Sequence, residues 1–557
     1  MRFLLLFLCL LCGRAMAQAP LAGHPDYVVQ DSVLIPARDG YPIVSTIVSR
    51  KGTPAPGPAV LFFTTYYQGK RDANLFKTLA DRGYTGIIAY CRGLRTDVTR
   101  YRPFEHDAAD CHDVIDWISR QPWCNGRIGM FGGSYTGYVQ WAMAKQPHPA
   151  LKTIVPQVAV YPGLDFPMEN NIPLPGILSW ANDNIRSAPP LPRDLVFRWY
   201  ESGAPYRQLD SLAGISEPVF QNWLAHPAYD RYWSQLVPTD AELKAFRIPI
   251  LVTTGYYDGS QIGAMAYLHR YLSLHANPDV HVVIGPYDHW GGQRRPSPEL
   301  MGYKIDSVAN VSMALLAYDW LDHILKGTPK PDLLKKRLAY QVMGTNTWKH
   351  AESLAPATET RTFFLAPGGL LTPAKTRNTV SGAITTDLRD RSDSAQHNYF
   401  TPVIVREEVP ATHGLIFRSA PFTRATTLAG RFSGELSVSL NRRDADLSIA
   451  FYEEQADGKC FYLTRYLGRA SYAADPSRRQ LLTPGKRTPI FLRNIRFVSK
   501  RFEKGSRLLV IVDLNKHPFE ILNYGSGKDV ADESMADAGV LKVTLLSGSY
   551  IRMPCLD

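Results

Sequence analysis

Several whole classes of function are excluded by what this sequence lacks. Its 557 residues hold only 7 cysteines. The five that lie beyond residue 17, Cys91, Cys111, Cys124, Cys460 and Cys555, show neither C-x-x-C nor Cys/His ligand spacing, which argues against a structural zinc site. Nowhere are five or more Lys or Arg contiguous, although 62 basic against 51 acidic residues leave a formal charge of +11. Scattered basic charge is weak support for a nucleic-acid partner. Pairs such as Arg442-Arg443, Arg478-Arg479 and Lys335-Lys336 read as solvated faces, with an acidic-polymer site as the alternative. Beyond residue 17 no apolar stretch reaches the roughly twenty residues of a membrane-spanning helix without meeting a charge or a turn residue. No fixed-period repeat appears, which disfavours a propeller or solenoid. What remains, 45% hydrophobic, 11% aromatic and 20% charged residues with 41 Gly and 41 Pro, is a globular composition long enough for two to four domains.

The first residues are read separately from the fold. Arg2 precedes an apolar run from Phe3 to Cys12 and then Ala15-Met16-Ala17, the pattern of a secretory signal cleaved before Gln18. The run, about ten residues, is too short for a spanning anchor. Leu11 before Cys12 argues against a lipoprotein signal, which calls for a small residue there. The expectation is a soluble exported protein, periplasmic or secreted, with no membrane association after cleavage. Removing Arg2 and Arg14 with the leader lowers the formal charge only to +9. The five remaining cysteines are odd in number, so at least one is unpaired; buried free thiols are the simpler reading, with a Cys460–Cys555 bridge as the alternative.

From Val33 to Ala144, short apolar runs alternate with helical patterns. Strands are expected at Ala59 to Phe63, Thr85 to Tyr90 and Ile128 to Phe131, and helices at Asn74 to Asp81 and Asp107 to Arg120. This alternation predicts a parallel α/β sheet. It is interrupted from about Gly163 to Ala245 by prolines and Trp- and Tyr-rich helical pieces, as an insertion capping the sheet would be. It resumes at Ile248 to Gly255 and His281 to Gly285, followed by a helix from Val311 to Lys326 that stops at Gly327. From Thr362 onward, short alternating strands, including Gly434 to Leu440, Leu447 to Tyr452, Arg507 to Val512 and Val540 to Leu546, predict an all-β sandwich.

The chemistry concentrates at three strand ends. The strand ending in Phe131 runs into Gly132-Gly133-Ser134-Tyr135-Thr136-Gly137 and then a helix. A serine on so sharp a turn needs small neighbours, because the turn brings backbone close, and Gly132 and Gly137 supply the room. The alternatives are a helix-capping serine or a phosphate-binding turn, which lacks the lysine. A nucleophilic serine requires a base oriented by a carboxylate. Asp258 follows the strand ending at Gly255, and His289 follows the strand ending at Gly285. Both occupy the strand ends where open α/β sheets gather active-site groups, in the chain order Ser, Asp, His. Asp288 is the rival acid, but its adjacency to His289 points its side chain elsewhere.

These residues resemble a family, the cocaine esterase, X-prolyl dipeptidyl-peptidase and α-amino-acid ester hydrolase group. Its G-x-S-Y-x-G signature is similar to Gly132 through Gly137, and its Q-P-W-x-x-G turn to Gln121-Pro122-Trp123-Cys124-Asn125-Gly126. Further likenesses are His226-Pro227-Ala228-Tyr229-Asp230-Arg231-Tyr232-Trp233, Gly285-Pro286-Tyr287-Asp288-His289, Gly344-Thr345-Asn346-Thr347-Trp348 and Ser419-Ala420-Pro421-Phe422. The resemblance implies an α/β-hydrolase domain with an inserted helical cap and a C-terminal jelly roll. The divisions are a signal peptide at 1–17, hydrolase segments at 18–162 and 246–345, a cap at 163–245 and a jelly roll at 346–557. It further implies Ser134 as nucleophile, Asp258 as orienting acid and His289 as general base. The oxyanion would be held by the Tyr135 backbone N–H and a tyrosine hydroxyl matching Tyr66, although Thr65 replaces the proline the family often has before it and Tyr67 is adjacent. No metal or cofactor is required.

The expected substrates are small esters, amides or short peptides. The amino-ester hydrolases carry an acidic pair after the orienting Asp to grip the substrate ammonium, whereas Asp258 is followed by Gly259-Ser260-Gln261. Asp165 and Glu169 could compensate, with surface or capping roles as the alternative. The sequence therefore favours a carboxylic ester or acyl amide hydrolase over an X-prolyl dipeptidyl-peptidase. A rival of another class is a non-catalytic carbohydrate-binding jelly-roll protein. Any surface left free by domain packing could pair subunits into a homo-oligomer.

Overall fold

The computed structural model describes residues 26–68, 74, 76–185, 190–377, 379–392, 403–409 and 413–556. The leader read at residues 1–17 lies outside the described residues. An α/β-hydrolase-like domain is built on a ten-stranded sheet with strands β1 (Tyr27–Pro36), β2 (Pro42–Arg50), β3 (Gly57–Thr64), β4 (Thr85–Tyr90), β5 (Cys124–Gly133), β6 (Leu151–Gln157), β7 (Ile250–Gly255), β8 (Val280–Gly285), β9 (Leu338–Val342) and β10 (Thr347–Ala351). Their spatial order is 1-2-4-3-5-6-7-8-9-10. Pairing is parallel from β4 through β9 and antiparallel at the edges formed by β1, β2 and β10. Every residue of β4, β7 and β8 is buried, as expected for central parallel strands covered on both faces.

Helices follow the strands as the periodicity predicts. Helix α1 spans Asp107–Ser119, α2 Tyr135–Ala142 and, after the insertion, α3 Gln261–Leu274 and α4 Met313–Lys326. Helix α4 begins where the Ser312 side chain accepts a hydrogen bond from the Leu315 N–H, and it ends at Gly327 in the left-handed conformation (φ 77°), the usual glycine stop. Its buried face, including Leu321 and Leu325, lies over Gly129 of β5. A Cβ at Gly129 would come within 2.6 Å of the Leu321 side chain, so glycine there permits the close approach.

Between β6 and β7 the chain forms helices at Leu195–Ser202, Pro218–Leu224 and Asp240–Ala245, together with a small pairing of Met168–Glu169 with Ile172–Pro173. The C-terminal domain is an all-β sandwich whose strands share one continuous hydrogen-bonded network. One boundary shifts: Thr347–Ala351 pairs with β9 in the first sheet, so the hydrolase sheet extends past residue 345. The first sandwich strand is Glu359–Ala366. All five described cysteines are buried free thiols, Cys460 and Cys555 included. No described helix is long and apolar enough to cross a membrane.

The two domains are joined by buried polar contacts. Met343 donates its N–H to Ser499 O and accepts from Arg501 N. Gln261, at the start of α3, receives the Phe497 N–H on Oε1 (2.5 Å) and donates Nε2 to Phe497 O (2.9 Å) and Gly255 O (2.9 Å). Replacing Gln261 with Leu strands those buried backbone groups. Each unsatisfied group costs roughly 1–3 kcal/mol, so Gln261→Leu is expected to lower unfolding stability by about 2–4 kcal/mol, read from the urea midpoint. A wild-type midpoint would contradict this account of the interface.

Candidate active site

Tyr66, Ser134, Asp258 and His289 all lie just beyond the C-terminal ends of parallel strands β3, β5, β7 and β8. In an open α/β sheet this edge is the one that forms the binding crevice. Ser134 has φ 63° and ψ −124°, an uncommon conformation for a residue with a Cβ. It is held by the Ser134 N–H bonding Gln157 O (3.0 Å), while Ser134 O accepts from Gly137 and Tyr138 at the start of α2. Gly132, at positive φ, and Gly137, against backbone, are required by space, and Gly133 makes room for the end of the Gln293 side chain. A Cβ at Gly132 would lie 2.4 Å from the Thr136 side chain, and one at Gly133 2.3 Å from Gln293 Oε1. One at Gly137 would meet the Ala159 Cβ and Gln157 O, both at 2.8 Å.

Asp258 is wholly buried. Its Oδ1 accepts from His289 Nδ1 (2.8 Å) and the Ser260 N–H (2.9 Å), and its Oδ2 accepts from the Thr254 hydroxyl (2.7 Å). The bond to Nδ1 fixes the imidazole and leaves Nε2 as the nitrogen free for proton transfer. Asp288, the rival acid, instead accepts the backbone N–H groups of Trp290 (3.1 Å) and Gly291 (2.7 Å) and so shapes the histidine loop. Gln293 donates Nε2 to His289 O (2.9 Å).

The Ser134 hydroxyl faces Tyr66, with 3.3 Å between Oγ and the phenol oxygen. Among the described residues no hydrogen bond joins it to the His289 ring. Trp180 Nε1 lies 3.5 Å from the Tyr66 hydroxyl, and the Tyr135 backbone N–H also interacts with it. Burial raises the Tyr66 pKa above its ordinary value, so the phenol stays a neutral hydrogen-bond donor. Tyr67 is exposed and packs edge-on against Tyr90 instead. The Tyr135 side chain points away, donating its hydroxyl to Asp107 (2.5 Å) and accepting from Phe104 N (2.7 Å). Trp180, beside the Tyr66 hydroxyl, forms an aromatic cluster with Phe166 and Trp223 whose ring centroids lie 5.0 to 5.6 Å apart.

Two groups central to this geometry carried no local sequence signal. Arg496, from the β-sandwich, donates to Asp258 O (3.0 Å) and Gly259 O (3.1 Å) and pairs with Glu169 (2.6 Å). Trp180 is one aromatic among many in the cap sequence. Asp165 and Glu169 are buried, not surface residues. Glu169 is committed to Arg496, and Asp165 accepts the backbone N–H groups of Tyr161 (2.7 Å) and Gly263 (2.5 Å). Among the described residues no group of three His, Cys, Asp or Glu side chains is placed to hold a metal ion.

A family model described as X-Pro dipeptidyl-peptidase (S15 family) matches residues 39–291, and one for the X-Pro dipeptidyl-peptidase C-terminal non-catalytic domain matches residues 334–533. The chain belongs to the CocE/NonD and X-Pro dipeptidyl-peptidase family of serine hydrolases. Within this CocE/NonD group it is 24% identical over 562 residues to a cocaine esterase of Rhodococcus sp. (strain MB1 Bresler), covering 92% of this chain and 95% of that protein. A Xaa-Pro dipeptidyl-peptidase of Lactobacillus delbrueckii subsp. lactis is 26% identical over 136 residues, 22% of this chain and 17% of its own length. The whole fold is shared with an α-amino acid ester hydrolase, with TM-score 0.79, 19% identity and coverage of 98% of this chain and 99% of that one. An aminopeptidase from a Thaumarchaeota archaeon aligns with TM-score 0.78, 20% identity and coverage of 96% and 97%.

Beneath the serine, burial pushes the Asp107 carboxyl up to about 7, so the folded protein favours its protonated form. This stabilisation is fully present below the ordinary carboxylate range and is lost as pH rises through about 7. Asp107→Asn is expected to make the fall in stability between pH 4 and pH 7 shallower, measured as urea midpoints across that range. An unaltered slope would mean that Asp107 is ionised throughout.

Proposed function

We propose that this serine hydrolase cleaves small carboxylic esters or acyl amides through a covalent acyl-enzyme. The observation that carries the reading is Ser134 on its strained turn with Oγ 3.3 Å from the Tyr66 hydroxyl, beside a His289 ring fixed on buried Asp258. Ser134 Oγ attacks the carbonyl carbon as His289 Nε2 takes its proton. Asp258 stays ionised and stabilises the imidazolium. The tetrahedral oxyanion is held by the Tyr66 hydroxyl and the Tyr135 N–H, donors fixed before the charge develops. His289 then gives its proton to the leaving alcohol or amine, and water, activated in the same way, releases the acid. The relay calls for the Ser134 hydroxyl to turn from Tyr66 toward the imidazole. Such bonds commonly tighten only when substrate is bound.

The same geometry supports esters and acyl amides over an X-prolyl dipeptidyl-peptidase role. A substrate ammonium needs a free carboxylate in a buried site, and the two candidates at the start of the cap, Asp165 and Glu169, are already committed to protein partners. Trp180, beside the Tyr66 hydroxyl, instead offers apolar surface next to the serine. A purely carbohydrate-binding role is disfavoured by membership of a serine hydrolase family. The leader at residues 1–17 supports export to the periplasm or beyond, which N-terminal sequencing of the fractionated protein tests by a start at Gln18.

Fluorophosphonate should label the protein once, at Ser134, and Ser134→Ala should abolish labelling. A serine-independent adduct, or none, would sink the mechanism. Tyr66→Phe should lower kcat about 10²- to 10³-fold, the effect of losing one oxyanion donor, with folding unchanged. p-Nitrophenyl acyl esters should be cleaved with higher kcat/KM than Gly-Pro or Ala-Pro anilides; the reverse order would establish the peptidase reading.

A further inference from the structure

Away from the serine, helix α3, the start of the cap and the β-sandwich enclose a cavity of about 450 Å³. That is within the range of small-molecule sites, roughly 300–1,000 Å³. None of Tyr66, Ser134, Asp258 or His289 lines it. Leu164, Ile262, Met265 and Ile495 give it apolar walls, and no Asp or Glu is among its lining residues.

Its charges are unbalanced. Arg270 is already engaged by Asp240 (2.6 Å), the Tyr161 hydroxyl (2.8 Å) and Pro238 O (3.0 Å). His269 is neutral, because burial and the nearby charge of Arg431 pull its pKa down to about 4. Arg431, at the end of sandwich strand Thr426–Arg431, is an exposed residue that lines the cavity at its solvent side. Its side chain makes no hydrogen bond or ion pair with any described residue, while its backbone lies in the ladder opposite Phe497. Loss of hydration lowers its pKa below the usual arginine range with no carboxylate to offset the shift. Its guanidinium is therefore a cation at the cavity with no carboxylate committed to it, and an anion entering the cavity would meet it directly.

We propose that this cavity is a second ligand site that takes an amphipathic organic carboxylate, its carboxylate on the Arg431 guanidinium and its apolar body against Leu164, Ile262, Met265 and Ile495. The guanidinium fork matches a carboxylate bidentately. A phosphate dianion would need further cations, and the only other one lining the cavity, Arg270, is neutralised. The apolar walls select against small inorganic anions. The site stands apart from the hydrolytic reading above and does not require it.

The test uses 4-phenylbutyrate as the probe and isothermal titration as the readout. Carboxylates can also enter a hydrolase site, so the protein is first treated with fluorophosphonate and the adduct checked by mass. Absence of an adduct would count against the nucleophile assignment alone, and the titration would proceed on untreated protein. The expected result is one 4-phenylbutyrate bound per chain, with affinity at least tenfold weaker in Arg431→Gln. Its neutral analogue 4-phenylbutyramide should bind at least tenfold more weakly than the acid to the unsubstituted protein. Ala266→Trp, which fills the cavity from α3, should also abolish binding. Thermal melts establish that both variants are folded. The proposal is overturned if the probe does not bind, if Arg431→Gln or Ala266→Trp binds it as tightly as the unsubstituted protein, or if acid and amide bind alike.

Discussion

The site turns on one buried carboxylate. Asp258 has no contact with solvent, so its charge is tolerable only where donors replace the lost water. Thr254, Ser260 and His289 supply them from its own domain. Its main chain is held from outside, by Arg496 of the β-sandwich, and Arg496 in turn needs Glu169 at the start of the cap. The catalytic sheet, the cap and the sandwich thus share one electrostatic unit. The sandwich is part of what positions the imidazole, which gives a physical reason for two domains with such different architectures to stay packed together.

A second constraint is spatial. The turn at Ser134 places the serine in an unfavourable backbone region, and packing on every side must hold it there. Gly132, Gly133 and Gly137 allow Thr136, Gln293 and Ala159 to close to distances that a Cβ would forbid. Gln293 does double service, since the residue that fills the space over Gly133 also bonds the carbonyl of His289. Serine turn and histidine loop are therefore packed as a pair, and the spacing G-x-S-x-x-G is set by which neighbours approach.

What was legible in the sequence was local. The buried strands β4, β7 and β8 are continuous apolar runs, and Ser134, Asp258 and His289 each follow such a run within a few residues. Strand β6 escaped notice because Pro156 interrupts its pattern; the proline is tolerated near the strand's end. The antiparallel edge strands β1 and β2 lack the strand-helix alternation that marks the rest. Arg496, Glu169 and Gln261 could not be found by spacing at all. Their partners lie more than 200 residues away in the chain, and only the folded packing of sandwich on sheet brings them together. Glu169 and Asp165 were legible as acidic residues near the cap, but their burial and partners were not.

That last point decides how the cap bears on substrate. A carboxylate that grips an ammonium must have unsatisfied acceptor capacity facing the reacting carbonyl. Glu169 spends its charge on Arg496, which it cannot release without leaving a buried guanidinium unpaired over the Asp258 loop. Asp165 receives two backbone N–H groups, and burial raises its pKa to about 8, so near neutrality it offers little negative charge. Diverting Glu169 to substrate would loosen the Arg496 hold on the Asp258 loop, and diverting Asp165 would strand the Tyr161 and Gly263 N–H groups. Asp165 and Glu169 are therefore spent on structure, and this is the physical basis of the proposed preference for an uncharged acyl group over an amino terminus.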